Sequence, residues 1–409
     1  MEQIRRCASK VVGTDRIRPC DSELIRDRAD RNAFANRAHF EWSEVDEVRV
    51  FSDIHGDARL LLRCLIEIGV ISDTETLEWT GKRTLVVICG DLIDDCRVHC
   101  ANDRVHPDKP TRRMELGSER GANEWEVLAL LNVLVSKNAR IVWVMGNHEL
   151  MRMQETDEAS TERGRYQRHV TRAYEETSVG VGAWKREGTM SRLFGVPRCV
   201  VTVGDVVFLH ADPVDVRGGT KKTKKYPSAR AYAEHVNGTV AKHRHRAFQK
   251  NSDLVWGRTL GNNLDESKCD KIMPSHIDRP TFVVRGHCIA GIARSKGARG
   301  VTFRPPEGHE GHERRARKAS DFVSSTDPLI KRVPGITFGC LRFDERKGGI
   351  VSGVARVDCG ASASIRANDQ MSVLSIKPTR NGALTLSQHR FNAGGGRGQT
   401  GLYTPALGS

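Results

Sequence analysis

The chain has 409 residues, 38% of them hydrophobic and 28% charged, with a formal net charge of +14. That length can bury one large core or two ordinary ones. No apolar run approaches the about 18 residues that a membrane-spanning helix needs, and the opening MEQIRRCASK lacks the apolar core of a secretory signal. The positive excess favours acidic or phosphorylated partners, but it is spread over many segments and does not choose among them. The 11 cysteines include no CxxC pair, which fits a reduced setting. Together these features lead us to expect an intracellular, cytoplasmic protein without membrane association.

Residues 1–44 are rich in Arg and Asp and read as an N-terminal arm. From residue 47 the pattern changes. EVRVFSDIHGD reads as a strand and a turn, and ARLLLRCLIEIGVI as an amphipathic helix with Leu61, Leu65 and Ile68 on one stripe. RTLVVICGDLID is a second strand, stopping at Gly90. The polar stretch over 97–121 reads as an inserted loop. NEWEVLALLNVLVSKN is a helix, and ARIVWVMGNHEL a third strand ending at Gly146. This alternation predicts an α/β core with parallel strands.

Residues 150–195 look helical and polar. RCVVTVGDVVFLHAD predicts a hairpin about Gly204–Asp205, TFVVRGHC a further strand, and the stretch near 336–358 another hairpin. A second insertion is expected over 294–320, and 361–409 reads as a C-terminal extension with a disordered, glycine-rich end.

Five of these strands end in residues of metal-binding type: Asp53 and His55; Asp91 and Asp94; Asn147 and His148; His210; and His287. The carboxyl ends of parallel strands in an α/β sheet line one crevice, so residues far apart in sequence can meet there. Oxygen and imidazole donors without thiolates suit Mn, Fe or Zn. One central carboxylate could serve two such cations, which activate water and neutralise a phosphoryl group.

SDIHGD, GDLIDD, GNHE, the strand-end His of FLHAD and RGH, in that order, resemble the calcineurin-like metallophosphoesterases. The GNHE form, DLVWGR at 253–258 and the ARVDCGAS stretch are most similar to bacterial-type members of the phosphoprotein (Ser/Thr) phosphatase branch. The resemblance covers roughly 47–360, and the domain is expected over 45–360. It implies an α/β fold with a β-sandwich of two mixed sheets flanked by helices, and a binuclear centre. Asp53, His55 and Asp91 would hold one cation, with Asp91 shared, and Asn147, His210 and His287 would complete the other. His148 would be the general acid, oriented by Asp94, with Glu149 supporting the loop from behind. The implied reaction is hydrolysis of a phosphomonoester, with a phosphoserine or phosphothreonine protein as the expected substrate.

The sequence departs from the family pattern at Asp95 and Cys96, which stand where an Arg and a Gly are usual. The missing Arg would grip the phosphate; Arg97 and Arg258 are candidate replacements. HAD also replaces the usual His-Gly. Two alternatives stay open: a nucleotide or dinucleoside-polyphosphate hydrolase, and a degenerate phosphatase kept as a binding module. Nucleic acid could engage the basic stretches at 217–225 and 294–319, although it is not the expected partner.

Overall fold

The computed structural model describes residues 34, 36–73, 76–93, 123–154, 189–216, 225–243, 253–257, 275–279, 281–288, 301–302, 331–333, 336–359, 370–392 and 399–403. The two expected insertions fall outside these residues except for 301–302, as do most of the N-terminal arm and the end of the chain.

In chain order the elements begin with β1 (His39–Phe40), β2 (Glu47–Phe51), α1 (Ala58–Glu67), β3 (Thr84–Ile88), α2 (Asn123–Ser136), β4 (Ile141–Trp143) and α3 (Asn147–Gln154). Next come α4 (Thr189–Phe194), β5 (Val200–Val203), β6 (Val206–Leu209), α5 (Ala229–His243), α6 (Asp253–Trp256) and β7 (Phe282–Arg285). The chain closes with β8 (Val301–Thr302), β9 (Lys331–Val333), β10 (Ile336–Asp344), β11 (Gly349–Arg356), β12 (Gln370–Pro378), β13 (Leu384–Asn392) and β14 (Gln399–Tyr403).

The mixed α/β class is as expected. β2, β3 and β4 are parallel, with Phe51 beside Ile88 and Ile88 beside Trp143. Their ends are level, so the polar residues that follow emerge on one rim. β6, β7 and β11 form a second parallel group, with Leu209 and Arg356 both beside Arg285. The expected hairpins are present: β5 turns into β6 through Gly204–Asp205, and β10 pairs antiparallel with β11.

Where two sheets were expected, the described strands form one connected ladder in the order β1-β5-β6-β7-β11-β13-β12-β2-β3-β4. The join is the β12–β13 hairpin: β12 pairs with β2, and β13 reaches β11 through the single pair Ile350–Leu384. The segment expected as an extension thus supplies central strands. Alternation along it serves both faces of the sheet. Met371 and Val373 enter one apolar cluster, and Leu374 and Ile376 the other. That second cluster also takes Val48, Val50 and Val87 from one parallel group and Phe208, Phe282 and Val284 from the other, so both groups are fixed to a shared core.

Helices cover the opposite faces. The predicted stripe of α1, Leu61, Leu65 and Ile68, is buried, and Asp57 caps the helix by accepting from Leu60 N–H. Helix α5, which the sequence reading did not assign, packs on β5 and β6. Cys64, Cys89, Cys199, Cys288 and Cys359 are free and buried. Cys340 is disulfide-bonded, which the reduced reading did not anticipate. Among the described residues no helix is long and apolar enough to cross a membrane.

Candidate metal centre

At the exit of β2, Ser52 donates to Cys89 O at 2.8 Å and to Asp53 Oδ2. The backbone then runs beside the exit of β3, with Asp53 N to Gly90 O at 3.1 Å, His55 N to Asp91 O at 2.9 Å and Gly56 N to Leu92 O at 2.7 Å. Asp53, His55, Asp91 and His287 all adopt left-handed backbone, with φ of 58°, 48°, 51° and 65°. For non-glycine residues that geometry costs about 1–3 kcal/mol each and collects where surrounding structure over-determines it.

Close approach explains the glycines ahead of the donors. Gly90 has φ +84°, and a Cβ there would stand 2.7 Å from His210 Nδ1. A Cβ on Gly146 would run into Asp91.

Glu149, fully buried in the first turn of α3, binds both motif loops. Its Oε1 accepts from Leu92 N (2.7 Å) and Ile93 N (3.3 Å), and its Oε2 from Gly146 N (2.7 Å) and Asp91 N (3.1 Å). Burial raises its carboxyl pKa, and these N–H donors oppose the shift. The loops carrying Asp91 and Asn147 are thereby locked together.

The imidazoles are oriented from behind by carbonyls. His55 Nδ1 faces Ile93 O at 3.1 Å, and His210 Nδ1 faces Cys89 O at 2.7 Å. Each Nε2 therefore points inward. His55 Nε2 lies 3.8 Å from Asp53 Oδ1 and 3.9 Å from Asp91 Oδ2, and His148 Nε2 lies 3.7 Å from Asp91 Oδ2. On the other side of Asp91, His210 Nε2 is 3.4 Å from its Oδ1, 2.9 Å from Asn147 Oδ1 and 3.2 Å from His287 Nδ1. His287 N in turn donates to Asp53 Oδ2 at 3.1 Å.

Two donor groups result, His55–Asp91–His148 and Asp91–His210–His287, each with its ligand atoms within 4.8 Å of one another and Asp91 common to both. The set fits divalent cations on two observations. Asp53 Oδ1 is buried without a hydrogen-bond partner. His210 has an acceptor against each ring nitrogen, whereas a neutral imidazole has one N–H to give; a cation beside Nε2 would satisfy the ring and the facing oxygens together.

Asp53, His55, Asp91, Asn147, His148, His210 and His287 thus lie together, all buried. Asp94, Arg97 and Arg258 lie outside the described residues. The sequence reading passed over Asp358 at the end of β11. It is buried, and its charge, after desolvation and ahead of Asp91, pushes the Asp53 carboxyl well above the usual range. It also passed over the pair between Arg285, fully buried, and Asp212. A signal for that pair was present: opposite charges two residues before His287 and two after His210.

Residues 47–287, more than half the chain, match the family model described as calcineurin-like phosphoesterase. The chain belongs to that family. It is accordingly a hydrolase acting on phosphoesters. The calcineurin-like phosphoesterases use divalent metals, and the donor groups around Asp91 could hold such ions. No curated protein matches the chain by sequence.

Among solved structures, a cold-active protein tyrosine phosphatase aligns with a TM-score of 0.46 at 13% identity, over 92% of this chain and 82% of its own; a cold-active protein-tyrosine phosphatase of a psychrophilic Shewanella species aligns at 0.43 and 12% identity, over 90% and 82%. A protein serine/threonine phosphatase from Saccharomyces cerevisiae, similar to human PP5, aligns at 0.41 and 12% identity, over 92% and 90% of the two chains. A protein proposed to be a diadenosine tetraphosphatase aligns at 0.33 and 12% identity, over 86% and 97%.

Proposed function

We propose that this phosphoesterase hydrolyses phosphomonoesters at a two-cation centre, with phosphoserine or phosphothreonine proteins as substrates. The carrying observation is Asp91, whose two oxygens face separate donor groups. Asp53, His55 and Asp91 would hold one cation, and Asp91, Asn147, His210 and His287 the other. When bound, the pair supplies a nucleophilic water at neutral pH and neutralises the phosphoryl oxygens.

The remaining work belongs to the chain. His148 stands in the first turn of α3, with its N–H on Asp91 Oδ1 at 3.1 Å and its Nε2 beside the shared carboxylate. From there it protonates the leaving oxygen as general acid. Glu149 holds the His148 loop against the Asp91 loop. The buried walls limit water, which strengthens every charge interaction inside. The preference for phosphoproteins rests on the GNHE form, DLVWGR and the ARVDCGAS stretch.

The test is turnover of an aryl phosphate with added Mn²⁺, followed by competition between phosphopeptides and diadenosine tetraphosphate. Mn²⁺-dependent turnover that phosphopeptides outcompete is expected. Turnover unchanged by His148→Ala would overturn the catalytic assignment, and a preference for the dinucleotide would overturn the substrate class.

A further inference from the structure

We propose that Arg285 is a positioning residue for the His210–His287 side of the centre: with Asp212 it fixes the exits of β6 and β7 where a second cation needs them, and it reaches the Asp53–His55 side only through the His287 loop. The inference rests on the two-cation reading above.

The β6–β7 ladder stops at Leu209 and Arg285, with one further bond from Gly286 N to His210 O at 3.1 Å. Past that point the ladder no longer ties the two exits, which carry His210 and His287. The Arg285 guanidinium takes over. Its Nη1 binds Asp212, its Nη2 donates to Gly257 O at 2.9 Å, and its Nε lies 3.4 Å from Gly286 O. One planar cation therefore joins the tail of β6, the end of α6 and the loop of His287.

Helix α6 is hooked to the same tail. Ala211 N donates to Leu254 O at 3.2 Å and Asp212 N to Asp253 O at 2.9 Å, and a Cβ on Gly257 would collide with Asp212. The ring of Trp256 stands edge-on to His287, with centroids 6.0 Å apart.

The Asp53–His55 side meets this frame at one bond, His287 N to Asp53 Oδ2 at 3.1 Å. It is held by Ser52 on Cys89 O, His55 on Ile93 O, and Glu149. Electrostatics makes the pairing necessary. Unpaired, Arg285 would place a buried positive charge near a cation site; paired with Asp212 it is neutral as a unit. Lysine keeps the charge but lacks the fork that reaches Asp212 and Gly257 O at once.

Calorimetric titration of metal-stripped full-length protein with Mn²⁺ tests this. Wild type is expected to bind two equivalents. Arg285→Lys is expected to keep the first and to bind the second about 10–100-fold more weakly, the usual scale for residues that orient metal ligands. Its turnover is expected to fall at limiting Mn²⁺ and to return at saturating Mn²⁺ with KM unchanged. The double variant Asp212→Leu/Arg285→Met removes both charges of the pair and is expected to show the same selective loss. Wild-type affinity for both equivalents in the two variants, or equal weakening of both, overturns the inference. Failure of wild type to take up a second equivalent overturns the two-cation reading and this inference with it, and is visible before any substitution.

Discussion

The two sides of the centre are built from similar strand exits but secured by different means. On the β2–β3 side, the chain's own backbone does most of the holding. The exits stay hydrogen-bonded past the strands, and Glu149 gathers four N–H groups from the adjoining loops. On the β6–β7 side the ladder ends early, and a buried ion pair, Asp212–Arg285, bridges the gap. Backbone bonds between adjacent strands resist side-chain substitution. A single buried pair does not, because removing either partner strands the other's charge away from water. The lesson is that a buried donor cluster with one common carboxylate can have two unequal supports.

The comparison breaks most severely at the shared residue. Asp91→Ala is expected to abolish uptake of both cations and Mn²⁺-dependent turnover, read by elemental analysis and an aryl phosphate assay. Survival of one full equivalent would mean that the two sides do not meet at Asp91. Next in size is His148→Ala. Loss of a general acid typically lowers kcat by about 10²–10⁴-fold, and here metal content should not change; a parallel loss of metal would move His148 from acid to ligand.

The unequal supports are compared directly by denaturation. Arg285→Met removes the guanidinium from buried Asp212 and is expected to cost about 3–5 kcal/mol, in line with broken buried pairs. Glu149→Gln keeps the shape and one acceptor oxygen but turns an amide toward N–H donors, with an expected cost of about 1–3 kcal/mol. Urea unfolding of both variants checks the order, and a reversal would show the β2–β3 side to be the more dependent on one side chain.

The smallest effect serves as a reference far from the centre. Glu44 accepts from both Arg37 nitrogens, at 2.8 and 2.7 Å, and its carboxyl is held down at about 2, mainly by that guanidinium. A depressed carboxyl stabilises the fold above its ordinary 4.5 and loses that contribution as pH falls towards about 2. The pair is more than a third exposed, so Glu44→Gln should cost under about 1 kcal/mol at neutral pH and nothing measurable at pH 2.

Much of this was legible in the one-dimensional order. Apolar runs of five or fewer residues, each stopped by a glycine or a polar pair, announce strand exits, and the types placed there announce oxygen and imidazole donors. The C-terminal hairpin was not legible. Residues 371–376 serve both clusters, so the clean two-residue alternation of a half-buried strand is blurred, and the glycine-rich stretch after the hairpin reads as the end of a domain. Asp358 was hidden for a different reason, and the Asp212 and Arg285 charges, visible beside His210 and His287, did not show their contact for the same one: these groups are brought together by strands distant in sequence.

The sequence alone determined the chemistry on offer: which donors stand at which strand ends, and the family to which their order belongs. Only the tertiary structure decided that Asp91 faces both donor groups, that Glu149 ties two loops, and that a buried arginine secures one side. Residue type and local spacing are set by the chain itself. Which side chains share a buried space is set by the pairing of distant strands, and that pairing costs loop-closure entropy which only the assembled core offsets.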